Sequence, residues 1–219
     1  MTPAFSLLLA TSNRGKLAEL TALLADLPVE VLSLAAALPG REQAVEDGAT
    51  LEDNARIKAR AGATAAMMVT IGEDSGLEVD ALGGRPGVRS ARFASESATD
   101  AENNAALLTA MDEVEDDQRS ARFRTVMVLI DPWAEGEQKE LVFKGKCEGT
   151  IARVPSGTGG FGYDPLFLVT GTKGTMAELS EAEKNQLSHR AQAFAALRPV
   201  LLELVFRRIA QAAHIAGGR

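Results

Sequence analysis

The sequence predicts an α/β fold on a mixed sheet, and two observations carry that prediction. The first is a strand-to-helix alternation. The apolar run at residues 5–10 reads as a buried strand, and residues 16–27, KLAELTALLADL, have helical spacing. The second is a pair of β-rich runs, 121–131 and 139–148, joined by a short link holding Pro132 and Gly136, which is a hairpin signal. Helical crossovers favour parallel pairing and hairpins require antiparallel pairing, so the two together imply a mixed sheet with helices packed on it.

The remaining elements follow in order. Residues 29–34 form a second expected strand. Thr50 is followed three residues later by Asp53, a capping-box pattern that opens a helix to about residue 66. Residues 68–72 are apolar and strand-like and lead into Glu73, Asp74, Ser75 and Gly76, so two acids are expected at the C-terminal end of a buried strand. Thr99 with Glu102 opens a helix reaching about Met111, and Ser180 with Glu183 opens another. Residues 188–213 read as one long helix with Phe194, Leu197, Leu201, Leu204 and Val205 along one side. Pro199 inside it is expected to kink or break it. With no internal repeat, low-complexity segment or clear linker, residues 1–219 are expected to form a single domain.

Composition narrows the partners. A chain of 219 residues, 46% apolar and 24% charged, has an ordinary globular balance and enough length for a substantial core. The net charge of −7 argues against DNA, RNA or an anionic membrane surface, which select basic patches. It leaves room for a single nucleotide whose phosphates are met by a metal and a few cations. Cys147 is the only cysteine, and His189 and His214 are the only histidines. Those counts exclude an intrachain disulfide, a Cys-based zinc site and a His-rich metal site. The opening MTPAFSLLLATSN has no basic region, and its apolar run is too short for a signal peptide or a membrane span, so the cytosol is the expected location.

Four segments hold residue types that carry chemistry, and each has a plainer reading beside the functional one. TSNRGK (Thr11, Ser12, Asn13, Arg14, Gly15, Lys16) lies between a strand and a helix, where backbone N–H groups and the helix dipole meet an anion and Lys16 adds a full charge. The spacing of a Walker loop is absent, and a capped helix start with a solvated lysine also accounts for the segment. The acids Glu46–Asp47 and Glu73–Asp74 suit Mg²⁺, which takes oxygen ligands, and a carboxylate free of metal can deprotonate water. A surface acidic turn is the plainer reading, and it fits Glu46–Asp47 better than Glu73–Asp74. KNQLSHR brings Lys184, Ser188, His189 and Arg190 to a helix junction, where Ser188 alone accounts for a cap. GTGGFGYDP, residues 157–165, sets Phe161, Gly162, Tyr163 and Asp164 among glycines. That composition fits a planar ligand held at its face and polar edge, or a tight turn with a core Phe.

Taken jointly, these segments resemble the inosine triphosphate pyrophosphatase family, the XTP/dITP diphosphatases that clear non-canonical purine nucleotides. The resemblance rests on TSNRGK, on Glu46, Gly48, Thr50, Asn54 and Ala55, on the DSGL to SAR stretch from Asp74 to Arg92, and on GTGGFGYDP followed by KN and SHR. The motifs run in family order from residue 11 to residue 190. The resemblance implies a two-lobed α/β fold around a long mixed sheet, a central substrate cleft, Mg²⁺ dependence and a homodimer. It implies hydrolysis of ITP, dITP and XTP to the monophosphate and pyrophosphate, with poor activity on ATP and GTP.

It also implies residue roles. Thr11 through Lys16 hold phosphates, with Lys16 acting catalytically. Asp74 is catalytic and binds Mg²⁺, with Glu46 and Glu73 as further metal ligands, and Ser75 contacts substrate. Phe161, Gly162, Tyr163, Asp164, Lys184, His189 and Arg190 form the base pocket. On hydrogen-bond matching and stacking grounds we expect Arg190 with N–H groups near His189 to meet the oxygen at C6 there, and Phe161 to stack on the purine. Glu73 stands where bacterial members more often carry Asp. The tail at 206–219 lies beyond the matching region and carries no assigned role. A non-catalytic nucleotide-binding module and a pyrophosphatase for other modified triphosphates stand as alternatives.

Overall fold

The computed structural model describes residues 5–217. Its strands are β1 (Ser6–Leu9), β2 (Glu30–Ser33), β3 (Thr70–Val79), β4 (Ser120–Ile130), β5 (Glu140–Ile151) and β6 (Phe167–Val169). Its helices are α1 (Arg14–Leu23), α2 (Leu34–Ala37), α3 (Leu51–Ala66), α4 (Asp100–Ala110), α5 (Glu181–Leu187) and α6 (His189–Gly217). The strands form one sheet in the order β2–β1–β3–β4–β5–β6. β1 pairs parallel with β2 and β3, whereas the β3–β4, β4–β5 and β5–β6 pairs are antiparallel. This is the mixed α/β sheet that the crossover and hairpin signals require.

The capping boxes form where the sequence places them. Thr50 with Asp53, Thr99 with Glu102 and Ser180 with Glu183 each exchange side-chain and backbone hydrogen bonds, and they open α3, α4 and α5.

Two expectations are corrected. β3 does not end before Glu73. It runs ten residues to Val79, and Glu73 and Asp74 lie in its middle. The long antiparallel ladder with β4, from Thr70↔Ile130 to Val79↔Ala121, carries the strand through the acids. Nor does Pro199 break the last helix, since α6 is continuous across it. Phe194, Leu197, Leu201, Leu204 and Val205 are all buried against the β1, β3 and β4 core. Burying each is worth roughly 1.5–3 kcal/mol, and the set outweighs the roughly 3 kcal/mol that a proline costs inside a helix. The same packing carries α6 into the 206–219 tail, where Arg208 makes a paired hydrogen bond to Asp131 at 2.7 and 2.8 Å. Residues 218–219 of that tail lie outside the described residues.

Glycine decides how closely two helices approach the sheet. A Cβ on Gly72 would lie 2.3 Å from the Ala55 carbonyl of α3, and one on Gly145 would lie 2.1 Å from the His189 carbonyl of α6. Only a residue without a side chain admits a helix that near. α3 and α6 therefore rest on opposite faces of the sheet beside the two acids. Among the described residues, no helix is long and apolar enough to cross a membrane.

Candidate active site

The β1–β3 pairing ends at Leu9↔Ile71. Beyond that pair β3 keeps β4 on one side and has no strand on the other, until Glu78 bridges Pro86. A cleft of about 270 Å³ opens along this free edge. Lys16, Glu46, Lys58 and Asp74 line one part of it, and Phe161, Tyr163, Asp164, Lys184, His189 and Arg190 line another. Segments more than a hundred residues apart in the sequence thus meet in one space.

The loop after β1 is held as a helix start. Asn13 caps α1, its Oδ1 accepting from the Lys16 N–H at 2.9 Å, and the Thr11 hydroxyl accepts from the Asn13 N–H at 3.2 Å. Thr11, Ser12, Asn13 and Lys16 face the cleft, whereas Arg14 and Gly15 do not line it. Gly15 lies against the Phe161 ring, where a Cβ would come within 2.4 Å of Cδ1.

The strand pleat sends Glu73 and Asp74 to opposite faces. Asp74 faces α3, where Oδ1 accepts from the Lys58 ammonium at 2.9 Å and Oδ2 from the Asn54 amide at 3.4 Å. Lys58 also donates to Glu46 at 2.9 Å, so one buried ammonium joins the two carboxylates. Burial pushes the Asp74 carboxyl above its usual range, Lys16 and Lys58 pull against it, and Glu46 adds to the rise. Glu73 faces α6 and does not line the cleft. It pairs with Arg190 at 3.1 Å and with Lys16 at 3.3 Å. Burial pushes its carboxyl upward too, but Arg190, then Lys16 and Lys58, outweigh burial and hold it well below the usual carboxylate range.

At the other end, Asp164 organises the aromatic loop. Its Oδ2 accepts from the Phe161 N–H at 3.1 Å and from Lys184 at 2.7 Å. The Phe161 ring carries Lys184 5.3 Å and Arg190 5.6 Å from its centroid. The Tyr163 hydroxyl donates to the Ser90 carbonyl at 2.8 Å, and α4 holds Gly162 through Asp100 and Asn104. His189 stacks on Phe123 with centroids 4.7 Å apart. Burial, with Arg190 adding, holds its imidazole well below the ordinary value, so the ring is neutral and its Nδ1 has no hydrogen-bond partner. Arg190 is 1% exposed; its Nη1 donates to Glu19 and its Nη2 to Glu73 and Ser75, while its Nε is buried without a partner. The Ser188 hydroxyl accepts from the Ala191 N–H. The N–H groups of His189 and Arg190, first in α6, have no carbonyl available inside the helix.

Sequence reasoning missed three side chains that shape this site, Lys58, Glu19 and Gln43, and gave Asn54 a place in a motif but no role. Lys58 and Asn54 sit four residues apart on α3, and the signal available was a lysine on the apolar Ala55–Ala59 face. Glu19 bonds both Lys184 and Arg190, one turn beyond Lys16 on α1. Gln43 donates to Glu46 at 2.7 Å and accepts from Ser12. Neither Glu19 nor Gln43 carries a local signal.

The oxygen donors fit a hard cation such as Mg²⁺. Asp74 and Glu46 face the cleft together, whereas Glu73 points to the other face of β3 with its Oε2 3.3 Å from the Lys16 ammonium. Among the described residues, no three His, Cys, Asp or Glu side chains converge as a complete metal cage. A cation held by one or two carboxylates plus substrate phosphates needs no such cage.

The chain is similar to known proteins. The model of the Ham1 family matches residues 7–200. The dITP/XTP pyrophosphatase of Geobacter sulfurreducens is 45% identical over 88% of this chain and 94% of its own length. That of Escherichia coli K12 is 46% identical over 88% of this chain and 96% of its own. The solved Ham1 protein of Staphylococcus aureus superposes with a TM-score of 0.77 at 37% identity, covering 90% of this chain and 97% of its own. A HAM1 protein from Coxiella burnetii gives 0.77 at 42% identity, covering 91% and 99%.

Proposed function

The chain belongs to the Ham1 family, and on that premise we propose that it hydrolyses the non-canonical purine triphosphates dITP, XTP and ITP to the monophosphate and pyrophosphate. The observation that carries this reading is Asp74, a buried carboxylate of raised proton affinity at the free edge of β3, facing the same cleft as the capped loop and the aromatic loop. A base near a phosphate loop suits attack by water on a phosphorus atom.

In this reading Asp74 orients the attacking water and takes its proton as oxygen bonds to the α-phosphorus. The bond from that phosphorus to the bridging oxygen breaks, and pyrophosphate leaves with the electron pair. Lys16 and the loop N–H groups meet charge on the phosphates, which is the main source of rate in transfers of this kind. Mg²⁺ would be held by Asp74 and Glu46; Glu73, on the other face of β3 and paired with Arg190 and Lys16, is not among its ligands. When bound it supplies charge neutralisation at the phosphate oxygens. Lys58 keeps the two carboxylates in place.

Base choice is assigned to the start of α6. The N–H groups of His189 and Arg190 present donors to a carbonyl at C6. An amino group there would set donor against donor, and sites built on such matching discriminate by roughly 10⁴-fold or more. Phe161 offers a stacking face worth about 1–3 kcal/mol. Arg190, whose two terminal nitrogens are held by Glu19 and Glu73, acts on the base chiefly by holding that helix start. The same reading carries a homodimer as the assembled form and the cytoplasm as its location.

The test is a product assay. Pyrophosphate and orthophosphate are measured from ITP, dITP, XTP, GTP and ATP, with and without Mg²⁺. Mg²⁺-dependent pyrophosphate release from the first three, well above ATP and GTP, is expected. Binding without turnover, orthophosphate as the product, or equal turnover of ATP overturns the reading.

A further inference from the structure

We propose that Arg92 is the cleft's receptor for the leaving pyrophosphate, the β- and γ-phosphate end of the substrate, an inference that rests on the pyrophosphatase reading above. Among the described residues, five cationic side chains line the cleft: Lys16, Lys58, Arg92, Lys184 and Arg190. Four are matched by acids at close range. Lys16 faces Glu73 at 3.3 Å, and Lys58 lies 2.9 Å from both Glu46 and Asp74. Lys184 pairs with Glu19 and Asp164 at 2.6 and 2.7 Å, and Arg190 pairs with Glu19 and Glu73.

Arg92 differs. Its Nη2 donates to the backbone carbonyl of Glu46 at 3.2 Å, a neutral acceptor, and its Nε, like that of Arg190, is buried without a hydrogen-bond partner. The acid in range of it is the exposed Glu96, at 3.8 Å. A buried donor on a charged group is costly until an acceptor completes it, and an anion does so best.

The backbone that carries Arg92 is fixed from two sides. Arg92 ends the 3-10 turn Gly87–Arg92. In that turn the Ser90 hydroxyl donates to the Gly87 carbonyl at 2.6 Å and accepts from the Leu77 N–H of β3 at 2.8 Å. Asn103 of α4, 3% exposed, donates to the Ala91 carbonyl at 3.1 Å and accepts from the Ala94 N–H at 3.0 Å. Its two bonds bracket Arg92 along the chain. A guanidinium held ready in this way loses little freedom when an anion arrives.

Its place in the cleft matches the leaving group. The Glu46 carbonyl that Arg92 bonds belongs to the acid that shares Lys58 with Asp74, and with the α-phosphorus at Asp74 the proposal sets the outer phosphates on this side of the cleft. The planar guanidinium offers paired N–H groups to phosphate oxygens. As the bond to the α-phosphorus breaks, negative charge grows on the bridging oxygen of the departing pyrophosphate, and a fixed cation there favours the transition state.

The test separates charge from scaffolding. Arg92→Gln keeps a donor for the Glu46 carbonyl and removes the charge, whereas Arg92→Lys keeps the charge. Competitive inhibition of ITP hydrolysis by inorganic pyrophosphate is expected to weaken about 10- to 100-fold in Arg92→Gln, with inhibition by IMP changed less than about 2-fold. KM for ITP rises in parallel, and Arg92→Lys recovers most of both losses. Equal behaviour of the two variants, or equal loss of pyrophosphate and IMP binding, overturns the proposal. On the wild-type protein, phenylglyoxal labelling of Arg92, mapped by mass spectrometry, should be suppressed by pyrophosphate and not by IMP. Labelling indifferent to pyrophosphate overturns the proposal even where a variant fails to fold. A wild type that releases no pyrophosphate from any purine triphosphate sinks the functional reading itself, and that outcome is distinct from either result at Arg92.

Discussion

Glu73 and Asp74 are adjacent in the chain, yet the pleat of β3 turns the first toward α6 and the second toward α3. Both are buried, and burial pushes both toward the protonated form. The outcomes differ because the neighbours differ. Glu73 meets the Arg190 guanidinium with Lys16 beside it, and the cations win. Asp74 shares Lys58 with a second carboxylate, Glu46, so its cations are partly spent and burial wins. Burial alone therefore sets neither role. The local balance of charge makes one acid a fixed anion that anchors the helix start and leaves the other able to take a proton.

The largest effect expected from this contrast is at Asp74. Asp74→Asn should lower kcat for ITP by roughly 10³-fold, within the range that loss of a general base produces. The melting temperature should hardly fall. A carboxyl whose folded pKa is raised is most favourable below its unfolded value of 3.8 and costs stability as pH rises through the folded value, so at neutral pH the substitution relieves a cost. Steady-state kinetics and thermal melting of the same preparation check both halves, and kcat near wild type at saturating Mg²⁺ would end the assignment.

Glu73→Gln should do the reverse. It leaves the Arg190 guanidinium, buried on every side, short of a carboxylate, which costs about 3 kcal/mol or more. In a chain of this size that is a fall in Tm of roughly 6–12 °C. Glu73 is depressed below its ordinary 4.5, so its contribution is present above 4.5 and is lost as pH falls toward the folded value. The gap between variant and wild type should therefore be widest at neutral pH and narrow in acid. A gap that widens below pH 4.5 would count against the charge account.

The smallest and sharpest test uses Lys58. Lys58 lowers the proton affinity of Asp74, so Lys58→Met should move the acid limb of the kcat/KM profile to higher pH. An unmoved limb would mean that another group sets it.

Much of the local structure was legible in the sequence. Each capping box is a four-residue pattern, and Thr50, Thr99 and Ser180 all open helices where their spacing places them. The segments around Thr11, Asp74, Phe161 and His189 were recognisable before their meeting place was known, and the cleft gathers residues from each. The length of β3 was not legible, because an apolar stretch followed by two acids reads as a strand end. Only the β4 ladder carries the strand through those acids. The continuity of α6 through Pro199 was hidden for a similar reason, since the proline's cost is local and the core packing that offsets it is not.

By itself the sequence determined the mixed α/β class, the helix starts, the family pattern and the chemistry available at each motif. Those properties depend on residues a few positions apart. The tertiary structure decided which acid faces which helix, which cation each acid meets, and that Arg92 keeps a donor unspent. Those depend on partners such as Lys58 with Asp74, 16 residues apart, and Arg190 with Glu73, 117 apart. Proton affinity in a buried site is set by the few charges nearest in space, and chain order does not specify them.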